Sequence, residues 1–171
     1  MTIYSLYIFD RYASSHDRPG VHRLAAPVAP GARESIFSSS GPGTPGVPTV
    51  PPKRQGGLPF DEEAKLVYGV VLSLRNMVKK LSGKDEQFTS FKTAQYRLHL
   101  YETLTGFKFV LLSDPSADSL RFVLRQIHTG PFIDYVVRNP LVEMDSRTQG
   151  IDNDQFRAAV DRHMRNLSIF N

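Results

Sequence analysis

The chain has 171 residues, 40% of them hydrophobic, and a formal net charge of +4. This length and composition suit one domain with a hydrophobic core, so we take residues 1–171 as a single domain. The absence of cysteine excludes disulfides, thiolate metal sites and cysteine nucleophiles. No stretch approaches the roughly 18 consecutive apolar residues of a membrane span.

The first predicted element is a strand that is covered on both faces. Thr2–Phe9, TIYSLYIF, is aromatic and β-branched with almost no polar side. Such a strand is stable only where other elements cover both of its faces. We therefore expect it at the centre of its sheet.

Between Tyr12 and Leu58 the composition changes. This segment, residues 12–58, holds eight of the twelve prolines and seven of the twelve glycines, which predicts a disordered insertion. It contains a G-x-G-x-x-G match starting at Gly41 and a P-x-x-P-x-K match starting at Pro48. Its prolines argue against a dinucleotide site, and a flexible spacer is favoured over a polyproline ligand. Its basic residues are not interleaved with aromatic ones, so we expect no nucleic acid partner.

Asp61–Leu81 has the periodicity of a helix that is apolar on more than one side. One stripe recurs at i, i+3, i+4 and i+7 spacing and is predicted to face the core. The stripe consists of Val67, Val70, Val71, Leu74, Val78 and Leu81, flanked by Leu66 and Met77.

A second patch on this helix is a candidate partner surface, because a helix that packs on one core needs no further apolar patch. Its members project from the side away from the stripe or lie at its rim: Tyr68, Gly69, Leu72, Arg75, Asn76 and Lys79. Gly69 costs about 1 kcal/mol relative to alanine inside a helix, so we expect another backbone to approach it closely. That backbone could belong to a partner or to this chain, and the sequence favours neither.

Three strands are predicted after this helix, at Gln87–Lys92, Gln95–Glu102 and Phe107–Ser113. The middle strand alternates between two sets of side chains, which predicts one buried face. Its link to the last strand ends in Gly106 and has the length of a hairpin turn. The last strand is apolar on both faces apart from Lys108, so it too should be central.

Two helices are predicted in the rest of the chain. Ser113-Asp114-Pro115 signals the start of the first, and Gly130-Pro131 should kink or break it before the helical pattern resumes up to Arg138. Asp152, with Gln155 three residues later, resembles the capping box of the last helix. Together the elements predict an α+β domain, with one antiparallel sheet covered by helices on both faces.

No arrangement of residues indicates catalysis or metal binding. The histidines form no H-x-x-x-H or H-E-x-x-H pair, and neither G-x-S-x-G nor G-x-x-x-x-G-K-[ST] occurs. We predict no catalytic residue, no cofactor and no metal. Each histidine is expected at the surface or at the edge of the core: His16, His22, His99, His128 and His163.

Four stretches together resemble a known family. They are TIYSLYIFDR at the N-terminus, KLVYGVVLSLR in the first helix, YRLHLYETLTGFKFVLLSD across the hairpin and YVVRNPL after it. These are similar to the small longin-type core subunit of TRAPP, the transport protein particle that tethers vesicles. The resemblance covers Met1–Arg11 and Phe60–Leu141.

This resemblance implies a longin or SNARE-like fold, with one helix on one face of the sheet and two on the other. It implies a non-catalytic protein whose partners are other TRAPP core subunits. The assembly acts as guanine nucleotide exchange factor for a Rab/Ypt GTPase in transport from the endoplasmic reticulum (ER) to the Golgi. We therefore expect contact with the GTPase through the complex, only indirect contact with membranes, and a cytoplasmic location at Golgi and ER membranes.

One departure concerns the second strand, which that family places soon after the first. Here only Val21–Leu24 or Ser35–Phe37 could serve.

The alternative function is another longin-type trafficking module, such as an adaptor small chain or a SNARE-like regulatory domain. An enzyme is the third possibility, and turnover by the isolated chain would favour it.

Overall fold

A computed structural model of the protein describes residues 2–10, 21–24, 60–82, 87–142, 151 and 153–167. In these residues the elements follow in the order β1 (Ile3–Phe9), β2 (Val21–Leu24), α1 (Phe60–Ser82), β3 (Ser90–Lys92), β4 (Arg97–Glu102), β5 (Lys108–Ser113), α2 (Arg121–Ile127), a π-helix (His128–Val137) and α3 (Asp154–Arg165).

The strands form one antiparallel sheet with the order β2-β1-β5-β4-β3. The predicted central positions of β1 and β5 are therefore confirmed. Val21–Leu24, one of the two candidates for the second strand, pairs with β1. The other candidate, Ser35–Phe37, and the remainder of the predicted insertion at 12–58 lie outside the described residues.

Each face of the sheet has its own hydrophobic core, because alternate side chains of β1 and β5 point to opposite sides. On one face Leu6, Ile8, Phe109 and Leu111 pack against α2, the π-helix and α3. On the other face Tyr7, Phe9, Val110 and Leu112 pack against α1. The predicted α+β class, with helices on both faces, is confirmed.

The predicted hairpin between β4 and β5 is also present. Thr103 N–H donates to Phe107 O at 2.9 Å, and Gly106 N–H donates to Thr103 O at 3.0 Å. Gly106 has φ of 90°, a conformation that a side chain would strain. The glycine of this turn is therefore required by the backbone.

β4 is buried on both faces, so the prediction of a single buried face is wrong. Leu98 and Leu100 face α1, as expected, whereas His99 on the opposite side has no exposed surface. Tyr101 packs against the other core. The cause is α2, which lies across β4 and covers the face that the alternating pattern assigned to solvent.

His99 is consequently a core residue, not the surface or core-edge residue predicted. Its Nδ1 accepts the Leu120 N–H at 3.2 Å, just before α2, so the proton is on Nε2, which lies 2.9 Å from Ser113 Oγ. Ser113 Oγ in turn donates to Asp114 O. Burial, with a smaller contribution from the charge of Arg97, lowers the pKa of His99 from 6.5 to about 4. The neutral imidazole thus joins β4 and β5 to the start of α2.

A kink or break was predicted at Gly130-Pro131, and no break is found. The chain stays helical but changes at His128 from α to π hydrogen bonding, with Pro131 inside the π-helix. The bond from Arg138 N–H to Ile133 O, at 3.0 Å, spans five residues. Proline lacks an N–H and its ring crowds the carbonyl four residues earlier, and the wider π turn accommodates it.

The cap of α3 is Asn153, one residue later than the predicted Asp152, which lies outside the described residues. Asn153 Oδ1 accepts the Phe156 N–H at 2.8 Å, which satisfies a free donor of the first turn. Its Nδ2 donates to Tyr135 O at 3.1 Å. This second bond ties α3 to the π-helix, which explains why an amide is favoured here over a carboxylate.

His99 makes the stability of the fold depend on pH. Its pKa is about 4 in the folded state and 6.5 in its ordinary state, so the unfolded chain binds the proton more readily. The stabilisation is therefore complete above pH 6.5 and is lost as the pH falls from 6.5 towards 4. A shift of this size corresponds to at most about 3 kcal/mol.

We expect the free energy of unfolding, measured by urea denaturation, to fall by about 2 kcal/mol between pH 7 and pH 4.5 because of His99. His99→Asn is the control, since an amide can accept the Leu120 N–H but does not titrate. This variant should be less stable at pH 7 and should depend less on pH. The same pH dependence in both proteins would contradict the assignment.

Candidate functional site on helix α1

The first turns of α1 are fixed to the sheet by apolar packing and one buried hydrogen bond. Ala64, Val67 and Val71 are buried against the strands. Tyr7 Oη donates to Glu63 Oε1 at 2.6 Å, and both side chains are buried. A charge-assisted bond of this length is among the stronger contacts of a protein interior.

Further along, α1 follows one row of side chains across the sheet. Phe9, Lys108 and Glu102 are neighbours in register on β1, β5 and β4. The Tyr68 ring lies with its centroid 5.1 Å from that of Phe9 and 6.0 Å from Lys108 Nζ. About two turns later, Arg75 Nη2 lies 3.1 Å from Glu102 Oε1. The helix therefore crosses from β1 to β4.

Lys108 is the polar centre of this row. Its side chain is buried, and Nζ donates to Gly106 O at 3.3 Å. Burial lowers the pKa of Lys108, whereas the carboxylate of Glu102 opposes this shift. The ring of Tyr68 offers the ammonium a cation–π contact at the limit of its useful range.

The structure corrects the predicted orientation of two of the six residues proposed for the interface. Tyr68 was expected to project away from the core, but its ring packs on Phe9 and belongs to the core under α1. Arg75 was placed at the rim of the patch, and its ion pair with Glu102 directs it to the sheet. Both side chains hold α1 in place and are not displayed on its outer side.

The other four predicted residues lie away from the sheet to different degrees. Gly69, Asn76 and Lys79 are exposed, and Leu72 is half-buried. Apart from its chain neighbours and the adjacent backbone of α1, no atom of the described residues lies within 4 Å of the point that a Cβ on Gly69 would occupy. The alternative that a described segment of this chain packs closely on Gly69 is therefore excluded.

The wrong placement of Tyr68 has a geometric origin. The core side of α1 is centred on Ala64 and Val71, both fully buried, whereas the predicted stripe was centred closer to Leu74. Measured around the axis from Val71, Tyr68 is only about 60° away. A stripe restricted to Ala64, Val67 and Val71, the residues that are buried, would have been centred near Val71 and would have placed Tyr68 on the core side.

Sequence reasoning missed the exposed apolar side chains of this helix. Leu66 is 45% exposed, Met77 49% and Leu81 78%, although Leu81 was assigned to the core stripe and the other two to its flanks. Leu66 and Met77 lie about 140° and 120° from Val71, on the side opposite to Tyr68. Leu81 lies in the last turn of α1, six residues beyond Arg75.

These residues define a surface that we call the α1 outer surface. It comprises Leu66, Gly69, Asn76, Met77 and Leu81. Three large apolar side chains with a central glycine and an amide are unusual for a solvated helix face and typical of a contact surface.

In the described part of the chain, no group of three His, Cys, Asp or Glu side chains could hold a metal ion. His128 is surrounded by Tyr101, Phe109 and Phe132, with ring centroids 5.6 to 5.7 Å away, and burial lowers its pKa. Of the helices in the same residues, none is both long enough and apolar enough to cross a bilayer.

An antiparallel sheet in this order, with α1 on one face and the remaining helices on the other, is the longin-like architecture that the sequence predicted. The chain belongs to the Sybindin-like family, whose model matches residues 3–167. The predicted resemblance is thereby confirmed.

Relatives of known name support the same family. Trafficking protein particle complex subunit 1 of Homo sapiens is 32% identical over 172 residues, covering 99% of this chain and 97% of the relative. Transport protein particle subunit bet5 of Schizosaccharomyces pombe is 43% identical over 113 residues, covering 64% and 73%. Trafficking protein particle complex subunit BET5 of Saccharomyces cerevisiae is 34% identical over 148 residues, covering 85% and 78%.

The position of Tyr68 can be tested on the isolated chain. Tyr68→Ala should lower the free energy of unfolding by about 2 kcal/mol, because it removes a half-buried ring from Phe9 and Lys108. Leu66→Ala, on the outer side of the same helix, should change it by less than about 0.5 kcal/mol. Equal losses in the two variants, measured by thermal and urea denaturation, would show that Tyr68 is not part of the core.

Proposed function

We propose that this chain is a non-catalytic subunit of a vesicle-tethering complex, the transport protein particle. Its family and the names of its relatives support an assembly of this kind. The assembled complex acts as guanine nucleotide exchange factor for a Rab/Ypt GTPase in transport from ER to Golgi. The chain is cytoplasmic, works at Golgi and ER membranes, and contacts them through other subunits.

The α1 outer surface is the observation that carries this proposal. Leu66, Met77 and Leu81 remain exposed on a helix whose opposite side is firmly packed. A neighbouring subunit that covers them gains the free energy of burying apolar area. Gly69 lies about 60° around the helix from Leu66 and has open space above it, so the backbone of the neighbour can approach closely. Asn76 and Lys79 supply hydrogen-bond donors at the border.

Six residues were predicted to contact the neighbour, and the proposal now divides them. Gly69, Leu72, Asn76 and Lys79 remain candidate contact residues. Tyr68 and Arg75 support the surface from below through Phe9 and Glu102, so their substitution affects assembly only through the position of α1.

A charge placed on the α1 outer surface tests the contact. Met77→Glu should leave the melting temperature of the isolated chain almost unchanged, because the side chain is exposed. It should reduce recovery of the neighbouring subunit at least tenfold, since an unpaired carboxylate buried in an interface costs several kcal/mol. The measurement is pull-down with the tagged full-length chain, beside thermal melting.

Two variants serve as controls for Met77→Glu. Gln155→Glu adds the same charge on α3, on the opposite face of the sheet, and should preserve both folding and recovery. Val71→Glu puts the charge into the core and should unfold the chain. Normal recovery with Met77→Glu, or melting as low as that of Val71→Glu, would contradict the proposed surface.

Gly69→Ala should have opposite effects on folding and on assembly. In the isolated chain it should raise the free energy of unfolding by up to about 1 kcal/mol, because alanine is the better helix former and the new methyl meets no atom. In the complex it should weaken binding of the neighbour. Stabilisation without any loss of binding, measured by the same pull-down, would show that no backbone approaches Gly69.

The absence of catalysis can be measured directly. The isolated chain should not accelerate release of a fluorescent GDP analogue from any Rab/Ypt GTPase, whereas the assembled complex should accelerate release from its own GTPase. Exchange by the isolated chain at the rate of the complex would overturn the non-catalytic role.

A further inference from the structure

A second exposed patch lies on α2, on the face of the sheet opposite to α1. The buried side of this helix consists of Val123, Leu124 and Ile127. Phe122 points away from them and is 67% exposed. Among the aromatic residues whose side-chain exposure the structure describes, it is the only one that is exposed, since the others are buried or half-buried.

Two arginines lie near this ring, both on the same side of it around the helix axis. Arg121 precedes Phe122 and Arg125 follows it by three residues, and both side chains are exposed. They lie four residues apart on one helix face, where like charges repel and destabilise the helix. Both therefore lie beside the exposed ring at a cost to the isolated fold.

Two other exposed arginines of this layer are paired with a carboxylate of the chain. Arg138 lies 2.9 Å from Asp134, and Arg165 lies 4.0 Å from Asp161, each pair one helical turn apart. Within the described residues Arg121 and Arg125 make no ion pair, and the residues four positions before them, Ala117 and Arg121, are not acidic. No carboxylate of the described residues therefore pairs with either guanidinium group.

We propose that Arg121, Phe122 and Arg125, which we call the α2 patch, dock a second partner protein. This partner presents an apolar pocket for the Phe122 ring and carboxylates that bind the two guanidinium groups. The inference rests on the proposed function, because it assumes a chain that works within an assembly of several subunits.

The chemistry of the patch identifies a protein as its occupant. Planar guanidinium groups bind carboxylates with two parallel hydrogen bonds, and aromatic residues and arginine are enriched at the centres of protein interfaces. An anionic bilayer fits less well. A seven-residue helix with one exposed ring offers little area for insertion, and the exposed carboxylate of Asp118 in the same layer would be repelled by it.

The test uses the full-length tagged chain expressed in its own cells. A photo-crosslinking phenylalanine analogue at position 122 identifies what lies against the patch, and the same analogue at the exposed position 155 is the control. The double variant Arg121→Glu with Arg125→Glu should reduce recovery of the crosslinked subunit at least tenfold. Recovery of the subunit that depends on Met77 should not change. Arg138→Glu, an exposed arginine outside the patch, should affect neither.

The partner's contribution is tested by charge exchange. Replacing the acidic residues at the crosslinked position of the partner by lysine should restore binding to the double variant. Three results would overturn the inference while leaving the proposed function intact. They are binding that the lysine substitutions do not restore, a crosslink to lipid alone, and normal recovery by the double variant. Flotation with vesicles containing 30% phosphatidylserine measures the lipid outcome, and binding that is lost in the double variant would assign the patch to the membrane.

Two further outcomes are decisive. If the wild-type chain recovers no subunit at all, the proposed function fails and the inference fails with it. If charge reversal lowers the melting temperature markedly, Phe122→Ala replaces it, and an unchanged recovery with that variant would equally overturn the α2 patch.

Discussion

The fold depends on two adjacent strands, β1 and β5, that carry large apolar side chains on both faces. Neither strand can leave a face in water, so the sheet must be covered on both sides and the two strands must be central. β5 holds six residues and every one of them is buried. This requirement explains why α1 lies on one face, why the π-helix and α3 close the other, and why the weak strand β2 is placed at the outer side of β1.

The sequence was sufficient for the elements whose signal is purely apolar. Continuous hydrophobic character predicted β1 and β5, and turn chemistry predicted Gly106. It was insufficient where a polar residue is buried through tertiary contacts. The alternating pattern of β4 places His99 on the polar side of the strand. Its contact with the start of α2, which no local pattern shows, buries it. Pro131 likewise predicts a break locally, whereas packing of Phe132 and Val136 keeps the chain helical.

The candidate site shows the same division at the level of one helix. Periodicity located α1 and indicated that it has more apolar surface than one core needs. It misjudged the rotation of the helix, because the small Ala64 contributes little to an apolar pattern yet lies at the centre of the buried side. Tyr68 and Leu66 consequently exchanged roles. The useful sequence signal was the excess of apolar residues on α1. Which of them face away from the core could be determined only from the packing of the helix on the sheet.

Lys108 gives this arrangement a chemical consequence. A buried ammonium under Tyr68 is shielded from water, so an amine-reactive reagent reaches it only when α1 lifts from the sheet or the chain unfolds. In the isolated chain the exposed Lys79 and Lys80 on the same helix react at all times. The ratio of modification at these lysines is therefore an internal reporter of how often the helix opens. A subunit that clamps α1 from outside would slow the labelling of Lys108 without touching it.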